Sequence, residues 1–199
     1  MRIGIFGGTF DPVHLGHLII AEEARWQLKL DRVLWLLTPV SPLKTGVEIS
    51  PWQERWEMLV AAIQDHPGFE LSSIDVDRPA PHFAYESAAL LRNVHPGDQL
   101  VYLIGGDSLR DFPKWGNPEA LVTQVDQIGV MQRPGNQIDL DDLEEKVPGI
   151  KAKLVWLNSP LIEISGKMIR KRLKAGDPVR HFLPDKVYQI ILENQLYLD

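Results

Sequence analysis

Residues 3–17 read Ile-Gly-Ile-Phe-Gly-Gly-Thr-Phe-Asp-Pro-Val-His-Leu-Gly-His, and this stretch restricts the fold more than any other part of the chain. Arg2–Phe6 is an apolar run of buried-strand length. Gly7 and Gly8 break it, and Asp11-Pro12 turns the backbone just ahead of a helical pattern. The expected order is strand, glycine turn, helix. Glycines at such a turn let a ligand approach the backbone closely, and the helix N-terminus behind them offers free N–H groups and a positive dipole end, which together favour phosphate. His14 and His17, three apart at the start of the helix, are expected on the same side of it.

Other uses of such a stretch fit less well. The glycine spacing departs from Gly-x-Gly-x-x-Gly and no Gly-Lys-Ser/Thr follows, so neither the dinucleotide fingerprint nor the P-loop is met. A His pair can bind metal, but His-x-x-His lacks the i, i+4 spacing and the Glu of a helical zinc motif. The chain also has no cysteine, so no protein-held metal is expected.

Beyond this stretch, strand-like and helix-like segments alternate. Helical patterns are expected over Leu15–Lys29, from Ser50 (as cap) to about Asp65, over Phe83–Val94 and Asp139–Lys146, and at the end over Ser165–Ala175 and Pro184–Asn194. Between them lie strand-like runs at Val33–Leu37, Phe69–Val76, Leu100–Ile104, Val125–Met131 and Lys153–Leu157. This alternation argues for right-handed crossover units. The expected class is α/β: a Rossmann-like, doubly wound, mainly parallel sheet with helices on both faces and a small helical C-terminal part from about residue 160 to 199. Ligands on such sheets bind outside the carboxyl ends of the strands, and Gly7–Thr9, Thr38–Lys44, Gly105–Asp107 and Gln132-Arg133 all fall there. One shared site is expected, and the acidic run Asp139–Glu145 reads as a solvated face.

A sheet of this kind needs a real core, and 199 residues with 44% hydrophobic and 24% charged suit one domain over 1–199. A formal net charge of −6 argues against non-specific nucleic-acid binding, so any positive ligand site must be local. The first apolar run is too short for a signal peptide, and no stretch reaches the roughly 18 apolar residues of a membrane span. A cytoplasmic protein with no nucleic-acid and no membrane partner is expected. The absence of cysteine fits a reducing compartment.

The string Gly-Gly-Thr-Phe-Asp-Pro-x-His-x-Gly-His resembles the signature of the nucleotidyltransferase superfamily that carries His-x-Gly-His on a Rossmann-like fold. The likeness implies that Thr9, His14 and His17 contact the phosphates of a nucleoside triphosphate, with His17 at the reacting phosphate. Further segments match in order over about residues 2 to 197: Pro39-x-x-Pro42-x-Lys44, Gly105-x-Asp107-Ser108-Leu109, Phe112-Pro113-Lys114-Trp115, Arg133-Pro134-Gly135, Ile164-Ser165-x-x-x-Ile169-Arg170 and Leu183-Pro184-Asp185-x-Val187. Together they resemble bacterial nicotinate-nucleotide adenylyltransferase. That family makes deamido-NAD from ATP and nicotinate mononucleotide and releases pyrophosphate.

The resemblance implies ATP contacts from Gly7, Gly8, Thr9 and Phe10, from Gly105, Asp107 and Arg133, and from Ser165, Lys167 and Arg170. Cationic donors must meet the charge that develops on the phosphates. His14, His17, Lys44 and Arg170 are the candidates, with Mg²⁺ bridging phosphate oxygens. Asp107 suits a ribose hydroxyl. The acceptor falls to Lys44, Phe83, Ala84 and Trp115, the last offering a flat face to a pyridine ring, while Trp26, Trp35, Trp52, Trp56 and Trp156 read as core or partly buried surface.

This chain also departs from the family. Phe83-Ala84-Tyr85-Glu86-Ser87 stands where Tyr-Thr-x-x-Thr is expected, Leu43 replaces a His before Lys44, and Gly166-Lys167 replaces Ser-Thr. The first change bears on the acceptor, which leaves nicotinamide mononucleotide or phosphopantetheine as alternatives, alongside a non-catalytic nucleotide-binding protein. The Gly166-Lys167 change bears on triphosphate binding, where the glycine is expected to expose backbone donors and Lys167 to add a cation.

Overall fold

The computed structural model describes residues 1–42, 46, 49–132, 138–160 and 162–198, with Gln132 described by its backbone alone. The first half runs β1 (Arg2–Gly8), α1 (Leu15–Gln27), β2 (Arg32–Leu37), α2 (Trp52–Ile63), β3 (Phe69–Ser72) and α3 (Ala84–Val94). The second runs β4 (Gln99–Gly105), α4 (Gly106–Asp111), α5 (Pro118–Gln124), β5 (Gln127–Gln132), α6 (Leu140–Lys146), β6 (Leu154–Asn158), α7 (Gly166–Lys174) and α8 (Asp185–Glu193). Six parallel strands lie in the order β3-β2-β1-β4-β5-β6. Winding therefore proceeds outward from β1 to β3 and then crosses back to β4. The reversal falls between β1 and β4, where open α/β sheets bind ligands.

Alternation along the strands supplies both helical layers. Phe6, Val33, Trp35, Val101 and Leu103 pack on one face with Ala21, Ala24, Met58, Leu59, Ile169 and Val187 from α1, α2, α7 and α8. Ile3, Ile5, Leu34, Leu36, Leu100 and Tyr102 turn to the other face and meet Ala88, Leu91, Leu109, Leu121 and Leu143 from α3 to α6. Strands apolar on both faces are what a sheet covered on both sides requires.

The structure differs from the sequence expectations at five places. β3 stops at Ser72 instead of Val76, because its partner β2 ends at Leu37 and the last pair is Leu36 with Ser72. Beyond it the chain turns, and Asp75 enters the interior. α2 is capped by Pro51, not Ser50, whose carbonyl instead accepts from Arg55 Nε at 2.8 Å. Two short helices went unread: α4 was hidden by its glycine start, and α5 by its length, although Asn117 caps it through Ala120 N–H with Pro118 following. Trp26, on α1, is 76% exposed and belongs to no core.

Candidate functional site

A cleft of about 530 Å³ opens at the carboxyl ends of β1 and β4, and its walls differ in chemistry. One is the turn expected to hold phosphate. Gly7, Gly8, Thr9 and Phe10 line it, and Phe10, with φ 47°, folds its ring back onto His17 (5.0 Å between centroids), Trp35 and Phe6. His14 caps α1, and its backbone N–H donates to His17 Nδ1 at 3.2 Å. Nδ1 thereby serves as the acceptor. A neutral His17 then carries its proton on Nε2, in a ring that lines the cleft.

The two imidazoles stack 3.7 Å apart. His14 is only 5% exposed, and burial pushes its pKa down to about 4. This corrects the expectation of a cation at His14: in the free protein it is a neutral ring behind His17, and it does not line the cleft.

Two arginines fix this wall. Arg55, fully buried on α2, donates from Nε to Ser50 O, from Nη1 to Thr9 O (2.8 Å) and Thr38 O (3.0 Å), and from Nη2 to Pro39 O (2.8 Å). One guanidinium thus ties the turns after β1 and β2 to the start of α2. Burial lowers its pKa, opposed by the charge of Asp11. Arg170 of α7 donates to the Asp11 carbonyl and lies 3.5 Å from its carboxylate. Asp11 also accepts from the Tyr197 hydroxyl at 2.8 Å, which brings the end of the chain to the first loop. Ser165 caps α7 through Met168 N–H (3.2 Å). A Cβ at Gly166 would overlap the Asp11 carbonyl, so glycine there lets α7 start against the loop. Ser165, Gly166, Lys167 and Arg170 all line the cleft.

The opposite wall holds Phe83, Ala84, Ser87, Tyr102, Trp115 and Gly116. A Cβ on Gly116 would run into the Phe83 ring, so that ring lies on bare backbone next to Trp115. No side chain caps α3, whose first turn, at Ala84, forms this wall. Beneath it, buried Asp75 Oδ1 accepts from Ser87 Oγ (2.7 Å) and from Arg78 Nε and Nη2 (3.0 and 2.9 Å), and Arg78 also meets Glu86 at 2.7 Å. His82, buried between Val40 and the Arg78 carbonyl, braces the same loop.

Of the remaining expected residues, Gly105 lines the cleft, whereas Asp107 sits half-exposed on α4 with Arg110 at 3.3 Å, and Ser108 faces the cleft in its stead. Lys44 and Arg133 lie outside the described residues. The sequence reading passed over Arg55, Asp75, Arg78, Tyr102 and Tyr197. Arg55 did leave a signal, a charge on the apolar stripe of α2 three and four residues before Met58 and Leu59.

This fold, with a glycine turn and a His pair at the sheet's reversal, defines a nucleotidyltransferase-type site. The chain belongs to the cytidylyltransferase-like family, whose model matches residues 5–172. Within it the similarity narrows to nicotinate-nucleotide adenylyltransferases. The chain is 37% identical to the one from Bacillus subtilis over 98% of both chains, and 40% identical to one from Thermomicrobium roseum described as probable, over 98% of this chain and 91% of that one. Among solved structures, the Plasmodium falciparum nicotinic acid mononucleotide adenylyltransferase complexed with NaAD shares the fold at a TM-score of 0.79, with 18% identity over 98% of this chain and 97% of that one.

Proposed function

We propose that this protein transfers the adenylyl group of ATP to nicotinate mononucleotide, forming deamido-NAD and pyrophosphate. The observation that carries the reading is one cleft with a phosphate-suited turn on one wall and an aromatic slot beside an uncapped helix start on the other. A phosphate oxygen of the acceptor attacks the α-phosphorus in line. The new P–O bond forms as the bond to the β-phosphate oxygen breaks, and pyrophosphate leaves. No covalent enzyme intermediate is needed, so positioning and charge stabilisation carry the catalysis.

His17 donates from Nε2 to the reacting phosphate, while Arg170 and Lys167 receive the departing phosphates together with Lys44 and Arg133. The Gly7–Phe10 turn and Gly105 accommodate the nucleotide. On the other wall Trp115 stacks on the pyridine, and the first N–H groups of α3 at Ala84 suit its carboxylate without needing a hydroxyl side chain. That makes the Phe83–Ser87 departure compatible with a nicotinate acceptor. Among the described residues no group of three or more His, Cys, Asp or Glu side chains is placed to hold a metal. Mg²⁺ therefore fits as a companion of the triphosphate, where it would neutralise phosphate charge.

The test is pyrophosphate release from ATP and Mg²⁺ with nicotinate mononucleotide, nicotinamide mononucleotide or phosphopantetheine as acceptor, and His17→Ala as blank. Preference for the nicotinate acceptor is expected. Preference for another acceptor overturns the substrate, and ATP binding without release from any acceptor overturns the reaction.

A further inference from the structure

Asp11 lines the cleft with a buried carboxylate, and two arginines lie close enough to answer its charge. Arg55 is committed to four backbone carbonyls, so Arg170 is the cation that Asp11 can recruit. Arg170 nevertheless stands off. Its Nη1 donates to the Asp11 carbonyl and keeps 3.5 Å from Oδ2, a loose pair, while the side chain lines the cleft. Oδ2 also has the Ser50 N–H at 3.5 Å, and Oδ1 is taken from the far end of the chain, by the Tyr197 hydroxyl at 2.8 Å. The route to that contact is costly. Beyond α8, Gln195 (φ 53°) and Tyr197 (φ 65°) are both left-handed, a conformation that disfavours residues with a side chain and persists where the surroundings over-determine it. Leu196 N–H returns to Ile191 O at 3.0 Å, and Leu196 and the Tyr197 ring pack on the first core layer. Phenylalanine would pack there as well, so what the oxygen adds is its bond to Asp11.

We propose that Tyr197 is a positioning residue for the triphosphate: its hydroxyl holds the Asp11 carboxylate, so that Arg170 keeps its guanidinium for phosphate instead of closing a tight ion pair with Asp11. The inference rests on the adenylyl-transfer reading above, in which Arg170 receives phosphates, and adds a residue to it. Burial and the charge of Asp11 push the phenol's pKa up, so it keeps the proton it donates. A phenol on a carboxylate is a charge-assisted bond that satisfies one oxygen of the anion without consuming a cation. Taking it away leaves a buried carboxylate short of a donor, which is unfavourable until another donor moves in. The donor at hand is Arg170, and each N–H it gives to Asp11 is one fewer for the nucleotide.

Tyr197→Phe removes the oxygen and keeps the ring. Calorimetric titrations with ATP and Mg²⁺, and separately with nicotinate mononucleotide, on wild type, Tyr197→Phe, Arg170→Ala and the double variant test the role. In Tyr197→Phe the Kd for ATP should rise about fivefold, less than a direct bond to a charged group would give. The Kd for nicotinate mononucleotide should hold. With Arg170→Ala already in place, adding Tyr197→Phe should leave the affinity for ATP where it is, because the hydroxyl acts through that guanidinium. A residue that merely supports the fold would loosen both ligands alike and do so with or without Arg170. Unchanged affinity for ATP in Tyr197→Phe, an equal loss for both ligands, or a fivefold loss that persists without Arg170 overturns the inference and leaves the adenylyl-transfer reading standing. A wild type that does not bind ATP overturns that reading and this inference together.

Discussion

Each wall of the cleft is braced by an arginine, Arg55 fully buried and Arg78 partly so, and the two are wired differently. Arg55, on the phosphate wall, bonds among the described residues only to backbone carbonyls, of Thr9, Thr38, Pro39 and Ser50. Arg78, on the aromatic wall, reaches the Phe83 and Pro81 carbonyls but spends its best geometry on the side chains of Asp75 and Glu86. A carbonyl is present whatever residue carries it, so the first wall fixes a backbone shape that is indifferent to the identities around it. The second depends on particular side chains, and changing one re-forms the slot. The phosphate wall suits a ligand part that never varies, and the aromatic wall suits the part that sets specificity.

The largest effect should come from the phosphate wall. His17→Ala is expected to lower kcat on the order of 10²–10³-fold, the range for losing one donor that stabilises developing charge. The KM for either substrate should move much less, because the contact strengthens in the transition state. Loss confined to ATP affinity would remove His17 from the chemistry. The arginines come next. Arg55→Met leaves four carbonyls without their donor, so unfolding in urea should show a loss of about 3–5 kcal/mol, with kcat falling too. Arg55→Lys should recover part of it, since an ammonium has no fork with which to span the carbonyls. Arg78→Met should instead raise the acceptor KM and leave the KM for ATP in place. If both substitutions moved the same kinetic constant, the walls would not be independent.

The same contrast explains what could be read from the chain. The phosphate wall is nearly contiguous: Gly7 to His17 carry the turn, the cap and the His pair, and Ser165 to Arg170 add one helix start, so local pattern points to these residues though not to Arg55 or Tyr197, which reach the wall from afar. The parallel sheet follows from the alternation of apolar runs, whereas its reversal between β1 and β4 is a matter of strand order that only the fold shows. The aromatic wall is drawn from Asp75, Phe83, Ser87, Tyr102 and Trp115, which no local pattern links. Tyr102 reads as one more apolar position in β4, and only the fold shows that it lines the cleft beside Trp115. The strand expected over Phe69–Val76 includes Asp75, but β3 ends at Ser72 with its partner β2. Phe10 and His14 illustrate a further limit. Their residue types were noted for ligand contact, but their packing against His17 and the resulting neutral state of His14 depend on burial, which a motif does not encode.

On the aromatic wall, Trp115→Ala should raise the acceptor KM by the equivalent of about 1–3 kcal/mol, the range found for stacking on an aromatic face, with little change toward ATP. An equal effect on both substrates would mean that the ring only supports the fold.

The smallest effect returns to His14 and is read in stability. Its pKa is about 4 in the folded protein against an ordinary value of 6.5, so between those values the unfolded chain binds the extra proton. Stability from this group is then fully present above pH 6.5 and is lost as pH falls toward 4. Lowering the pH from 7 to 5.5 should cost about 1 kcal/mol through His14 alone, at 1.36 kcal/mol per unit. His14→Asn or His14→Gln should flatten that part of the profile, whatever either does to the absolute stability. Bound triphosphate would oppose the effect by stabilising positive charge beside His17, so the wild-type profile measured with ATP should be flatter than without it. A wild type whose stability does not change across that interval would mean that His14 is not held neutral, and the phosphate wall would then carry a charge of its own before the nucleotide arrives.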